Sequence, residues 1–149
     1  LCSTNYSLNY ARTGAKVFTG TITAILLGTL IWTIVVLAPF LHVTIDIKTT
    51  ESTVNVSSCG YTSSINIDDI IELKLMDKLP DDHFFKSNGG ATESYLVGRF
   101  KGNTYGKCSL YIFKDVSPVL MIKTADQTVF LNSKKDGEIV NLYNAIKNE

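Results

Sequence analysis

The feature that most constrains this chain is an uncharged apolar run over residues 17–41, VFTGTITAILLGTLIWTIVVLAPFL. As an α-helix, its 25 residues reach roughly 37 Å, against a hydrocarbon core of about 30 Å. Fourteen of the 25 are Leu, Ile, Val or Phe. At about −0.3 to −0.6 kcal/mol each, they favour a bilayer by roughly 4–8 kcal/mol before the Thr, Gly and Pro terms subtract. A buried core helix of a soluble domain would show a polar face, and this run has none. A secretory signal has an apolar stretch of about 7–15 residues followed by a small-residue cleavage site. Here Pro39-Phe40-Leu41-His42 follows instead. The run therefore reads as a transmembrane helix, which makes the lipid bilayer the first partner and places the chain in a cell membrane as an integral protein.

Residues 1–16 form a polar N-terminal segment with Arg12 and Lys16 near the span. Lys48 alone lies within a similar distance on the other side. The positive-inside rule leans towards an internal N-terminus and an external C-terminal domain. The lean is one charge, so both orientations stay open. The chain opens on Leu1 rather than Met, which leaves room for upstream residues, a further span among them. Cys2 lacks the preceding small residues and Leu of a lipidated cysteine. Asn5-Tyr6-Ser7 and Asn55-Val56-Ser57 fit glycosylation triplets, which matter only in a eukaryotic secretory pathway. Within the span, Gly20, Ala24 and Gly28 recur every fourth residue on one face. Small residues there permit helix–helix contact, and with it a homo-oligomer.

Residues 43–149 are long enough to bury a core without disulfides or metals. They hold all 14 acids and 12 of the 14 bases, so 12 − 14 gives a net charge of −2. A nucleic-acid binder needs a basic footprint, and none is present. Cys59 and Cys108 follow no metal spacing; they are either a pair in an oxidising compartment or two small separate thiols.

After His42 the apolar period drops from helical to two. VTIDIK (residues 43–48), with Val54 and Val56 beyond a polar turn, alternates as a half-buried strand does. Cys59-Gly60 marks a turn, and residues 61–67 and 70–76 alternate again, with Asp68-Asp69 between them. Residues 79–91, LPDDHFFKSNGGA, read as a loop. Residues 95–100 and 107–113 read as two arms of a hairpin around KGNTYG, with Gly98 as a bulge or a point of close approach. Residues 119–124 and 128–131 form a last hairpin. Then Ile139, Leu142, Tyr143 and Ile146 return to helical spacing, with Val140 widening the apolar face and Ser133 or Asp136 as the cap. About seven short antiparallel strands and one amphipathic helix give an all-β or α+β domain. Its sheet curls into a barrel or two packed layers, with the helix covering one end.

Strands closed by one helix resemble the pleckstrin-homology superfold. The run Ile67-Asp68-Asp69-Ile70 through Leu79-Pro80, then Gly89-Gly90, Gly98-Arg99-Phe100, Tyr105-Gly106-Lys107 with Leu110-Tyr111, Pro118 with Ile122-Lys123-Thr124, and Leu142-Tyr143 together resemble the bacterial PH-like domain family. The resemblance covers residues 43–149. It implies a PH-like barrel of about seven antiparallel strands with a C-terminal capping helix, in a small membrane protein whose span precedes the domain. It brings no catalytic residues and no cofactor.

The remaining candidate chemistry is thin. His42 and His83 lie in different contexts, and Asp81-Asp82-His83 alone supplies too few metal ligands. Asp68-Asp69 are adjacent, so in an extended segment they face opposite ways. No strained Ser nucleophile turn and no phosphate loop is present. An enzyme is not expected. The cluster of interest is Arg99, Lys101 and Lys107, with Lys114 further along, beside the 100–106 turn. Two functions follow. One is a non-catalytic, membrane-anchored binding or scaffolding module for a protein or peptide partner. The alternative is a weak reader of anionic lipid through Arg99, Lys101 and Lys107, each base near such a surface contributing about 1 kcal/mol.

Overall fold

The computed structural model describes residues 11–148. Cys2, the Asn5-Tyr6-Ser7 triplet and residues 1–10 of the polar segment lie outside the described residues. The chain divides into two units after Leu41.

The first unit is helix α1, Thr13–Leu41, 29 residues long. It begins upstream of the uncharged run and takes in Lys16, whose long stem lets its ammonium reach a membrane interface. None of its residues is buried. Three of its threonines bond back to the helix backbone. Thr19 donates to the Ala15 carbonyl at 3.0 Å, Thr29 to Leu26 at 2.9 Å and Thr33 to Thr29 at 2.8 Å. These three hydroxyls are thus satisfied within the helix, which lowers the cost of placing them in an apolar solvent. Pro39 sits in the last turn, so the helix bond that its missing N–H gives up is lost only where the helix stops.

The second unit holds two sheets and a helix. Strands β1 (Asp46–Thr49), β2 (Thr53–Ser58) and β3 (Tyr61–Asn66) form an antiparallel sheet in that order. The larger sheet has the order β4-β8-β9-β7-β6-β5. Its strands are β4 (Glu72–Met76), β5 (Phe84–Ala91), β6 (Tyr95–Gly102), β7 (Gly106–Phe113), β8 (Val119–Lys123) and β9 (Thr128–Leu131). A 3-10 turn at Ile67–Asp69 carries the adjacent aspartates. Helix α2, Glu138–Lys147, closes the chain.

Two cores flank the larger sheet. Val54, Val56 and Ile65 of the small sheet meet Val97, Tyr111, Leu120, Ile122, Val129 and Leu131 of the large one, with Ile139, Leu142 and Ile146 of α2. The other face carries Phe100, Leu110, Ile112, Val119, Met121 and Phe130. It is covered from the β5 side. Phe84 and Tyr105 meet Phe130 edge-on, with ring centroids 5.7 Å and 5.1 Å away. Strands β8 and β9 are therefore buried on both faces and read as continuous apolar runs, whereas β3 keeps its alternation.

The architecture is PH-like, and it departs from the sequence expectation in four details. The described residues form nine strands rather than about seven. The stretch read as a loop over 79–91 contains β5. Its glycines do not make a turn. Gly89 stands directly opposite Gly98, both at positive φ. A Cβ at Gly89 would lie 2.2 Å from the Val97 carbonyl oxygen, and one at Gly98 2.5 Å from that of Asn88. The close approach expected at Gly98 is thus real, while the bulge is on β5, between Lys86 and Asn88. The third difference is that β7 and β9 pair in parallel. The last concerns α2: Val140 is exposed and does not widen the apolar face. Gly137 occupies the cap position, and Ser133 instead donates its hydroxyl to the Glu138 carboxylate.

Asn132 extends the parallel pairing beyond the end of β9. It is fully buried. Its Oδ1 accepts the Phe113 N–H at 2.8 Å, and its Nδ2 donates to the Phe113 and Val116 carbonyls, each at 2.7 Å. The side-chain amide stands in for a peptide unit and holds the β7–β8 connection to β9. Truncation takes the Asn132 partner from the Phe113 N–H and the Val116 carbonyl, while the Phe113 carbonyl keeps the Val116 N–H at 3.2 Å; each group left unpaired costs about 1–3 kcal/mol. Asn132→Ala is expected to lower stability by about 2 kcal/mol or more, measured by urea unfolding of the full chain in micelles. A loss within about 0.5 kcal/mol, the range of a neutral surface change, contradicts this role.

Candidate functional site

Two sheets have four edges: β1, β3, β4 and β5. Unpaired edges invite pairing with foreign strands, and folded domains guard them with charges, proline or bulges. Strand β1 carries Asp46 and Lys48, β4 carries Glu72 and Lys74, and β5 carries Lys86 and its bulge. Strand β3, YTSSIN, carries none of these. Among the described residues it is the one unguarded edge.

That edge borders a cleft of about 540 Å³. Thr62, Ser63 and Ser64 line one side in succession. Consecutive strand residues point to opposite faces, so it is the strand's edge and not one face that borders the space. Arg99 of β6, Lys107 and Ser109 of β7, Ser87 of β5 and the β8–β9 turn residues Asp126 and Gln127 line the rest. At one end the Tyr61 hydroxyl donates to Asn88 Oδ1 at 2.9 Å, tying β3 to β5. At the floor the Ser63 and Tyr111 hydroxyls share a hydrogen bond of 3.0 Å. Burial pushes the Tyr111 phenol above its ordinary pKa, and the Ser63 bond and the Arg99 charge pull part of the way back.

The register explains the cations. Val97 and Tyr111 point into the main core. Arg99 and Lys101 share the parity of Val97, and Lys107 and Ser109 that of Tyr111, so all four side chains belong to the same face. Arg99 pairs with Ser109, and Lys101 pairs with Lys107 directly. Like charges directly opposite one another are unfavourable. The ion pairs among the described residues, Lys123–Glu72 and Lys135–Glu138, involve none of the three bases. Arg99 and Lys107 line the cleft; Lys101 is exposed beside it. Phe85 stands opposite Lys101 and is 63% exposed. Lys114 does not join this group. It follows the far end of β7, about 24 Å along the strand from Lys107, where its N–H donates to the Ser94 carbonyl at 3.0 Å.

The sequence reading singled out the cations and missed the hydroxyl wall of Thr62, Ser63 and Ser64. The available signal was a strand with no charge at all. The other candidates have local roles. Asp82 accepts the Thr104 N–H at 3.1 Å and so fastens the β4–β5 connection to the β6–β7 turn. No group of three His, Cys, Asp or Glu with metal-holding geometry occurs among the described residues. On α1, Gly20, Ala24 and Gly28 share a face, and a Cβ at either glycine would meet nothing within 4 Å.

Two packed sheets, a terminal helix and an open seam beside β3 define a PH-like domain. A model of the bacterial PH domain matches residues 45–145, and the chain belongs to that family. No curated protein and no solved structure matches it.

Cys59 and Cys108 are not bonded to each other. Cys59 packs against the main core and Cys108 belongs to the opposite one. Burial pushes the Cys108 thiol up to about 11 from 9.0; a backbone hydrogen bond from Gly102 opposes this, and Asp82 adds to it. The folded state therefore favours the protonated thiol. Its contribution to stability is fully present below about pH 9 and is lost as pH rises towards about 11. At pH 8, iodoacetamide is expected to label Cys59 well before Cys108, read by peptide mass spectrometry on the folded full chain. Equal labelling contradicts the burial.

Proposed function

We propose that this protein is a non-catalytic binding module held at a membrane by α1, and that its domain takes an extended segment of a partner protein along β3. One observation carries the reading: the one unguarded sheet edge among the described residues borders an open cleft. Strand addition uses the main-chain groups of such an edge for affinity and the neighbouring side chains for specificity. Tethering supports it, because α1 already supplies membrane affinity and leaves the domain's surface for a second partner. Among the described residues α1 is the one helix long and apolar enough to cross a bilayer.

A second reading has its own observation. Phe85, Lys101 and Lys107 form a row across three strands, an exposed aromatic at the edge followed by two cations. Such a row suits the interface of an anionic bilayer. The domain's net charge of −2 works against it, and the β3 edge gives a lipid nothing to pair with.

A photoreactive residue replacing Thr62 in the full chain, expressed in bacterial membranes, is expected to give a discrete protein adduct. The same residue at Ser52, outside the cleft, is expected to give none. Adducts to lipid alone, lost on neutralising Lys101 and Lys107 together, would favour the second reading. Identical patterns at the two positions would remove the first.

A further inference from the structure

We propose that the β3 cleft selects an acidic segment, with carboxylates at alternate positions of an extended strand meeting Arg99 and Lys107. This rests on the reading that β3 is the docking edge, and it names the chemistry of what docks.

Three observations point the same way. First, Arg99 and Lys107 are diagonal neighbours on β6 and β7, on one face and both lining the cleft. Diagonal Cβ atoms stand about 7–8 Å apart. Residues i and i+2 of an extended strand lie on one face about 6.7 Å apart. A segment with Asp or Glu at i and i+2 therefore matches the spacing of the two cations. Second, neither cation has an ion-pair partner among the described residues. Lys101 stands opposite Lys107 and adds to the concentration of charge. A domain with net charge −2 has carboxylates enough to neutralise them and does not. Asp126, on the wall of the same cleft, forms no ion pair with either, so the like-charge pairing stays uncompensated by direct contact, the pattern expected where a ligand supplies the counter-charge. Third, the hydroxyls of Thr62, Ser64, Ser87 and Ser109 ring the same space. They donate to carboxylate oxygens without adding a charge of their own.

The alternative anionic occupant is a phosphate-bearing lipid headgroup. The cations serve either ligand. The unpaired edge of β3 serves only a peptide, and it decides between them.

The test uses the full chain in nanodiscs of phosphatidylcholine alone and a short fluorescent peptide of alternating threonine and glutamate, read by anisotropy. The glutamate peptide is expected to bind, and its glutamine counterpart to bind on the order of tenfold more weakly, with the protein untouched. Arg99→Gln and Lys107→Gln are each expected to weaken binding several-fold. Lys101→Gln, outside the cleft, is expected to weaken it less. Near-UV circular dichroism of each variant checks the fold. Raised salt is expected to narrow the gap between the two peptides. Equal affinity for the two peptides, or no binding by either, overturns the acidic assignment. So does a tight association with phosphatidylserine vesicles that displaces the glutamate peptide and depends on Arg99 and Lys107. Failure here with a protein adduct still forming at Thr62 removes the acidic chemistry and leaves the docking edge. Failure of both removes the docking edge as well.

Discussion

The domain depends on the parallel pairing of β7 with β9. It is the one parallel pairing in the larger sheet, and no hairpin supplies it. It places β7 and β9 in the middle of the sheet, buried on both faces. The Asn132 amide continues that pairing where the ladder stops, with three hydrogen bonds in a site closed to water. Buried polar groups are costly unless every one is paired, and here each is. With β9 fixed beside β7, the β8–β9 turn reaches the cleft and brings Asp126 and Gln127 opposite β3.

The site follows from the same placement. Strand β7 carries residues of both cores in alternation: Cys108, Leu110 and Ile112 face one way, and Tyr111 and Phe113 the other. Towards its start, the second face outruns the apolar core and carries Ser109 and Lys107. That is where β3 diverges from the larger sheet and the seam opens. A half-covered sheet face beside an unguarded edge is expensive to leave exposed in a folding chain. Its retention is the physical argument for binding.

Much of this was legible in the sequence. The long apolar helix was, because 25 residues without a charge favour one uninterrupted helix. The β6–β7 and β8–β9 hairpins and α2 were, because period and turn residues agreed with the tertiary outcome. Strand β5 was not. Asn88, Gly89 and Gly90 carry the composition of a turn, and the reason for the glycines lies on another strand, at Gly98. The parallel β7–β9 pair was not legible either, because it depends on a side-chain amide contacting backbone 19 residues away in sequence. At the site, Arg99 and Lys107 were visible as charges. That they share a face and a cleft while Lys114 does not is a matter of register. The wall formed by β3 had no charge to draw attention, and its lack of guarding residues gains meaning only once its place at a sheet edge is known.

The proposed function needs the seam beside β3 to be open and α1 to span a bilayer. Residue-resolved amide hydrogen exchange of the full chain in nanodiscs tests it directly. The account predicts slow exchange across residues 17–41, slow exchange in β7 and β9, and fast exchange at every second amide of β3, those facing away from β2. Uniform protection along β3, matching that of β2, would mean the seam is closed and would contradict it.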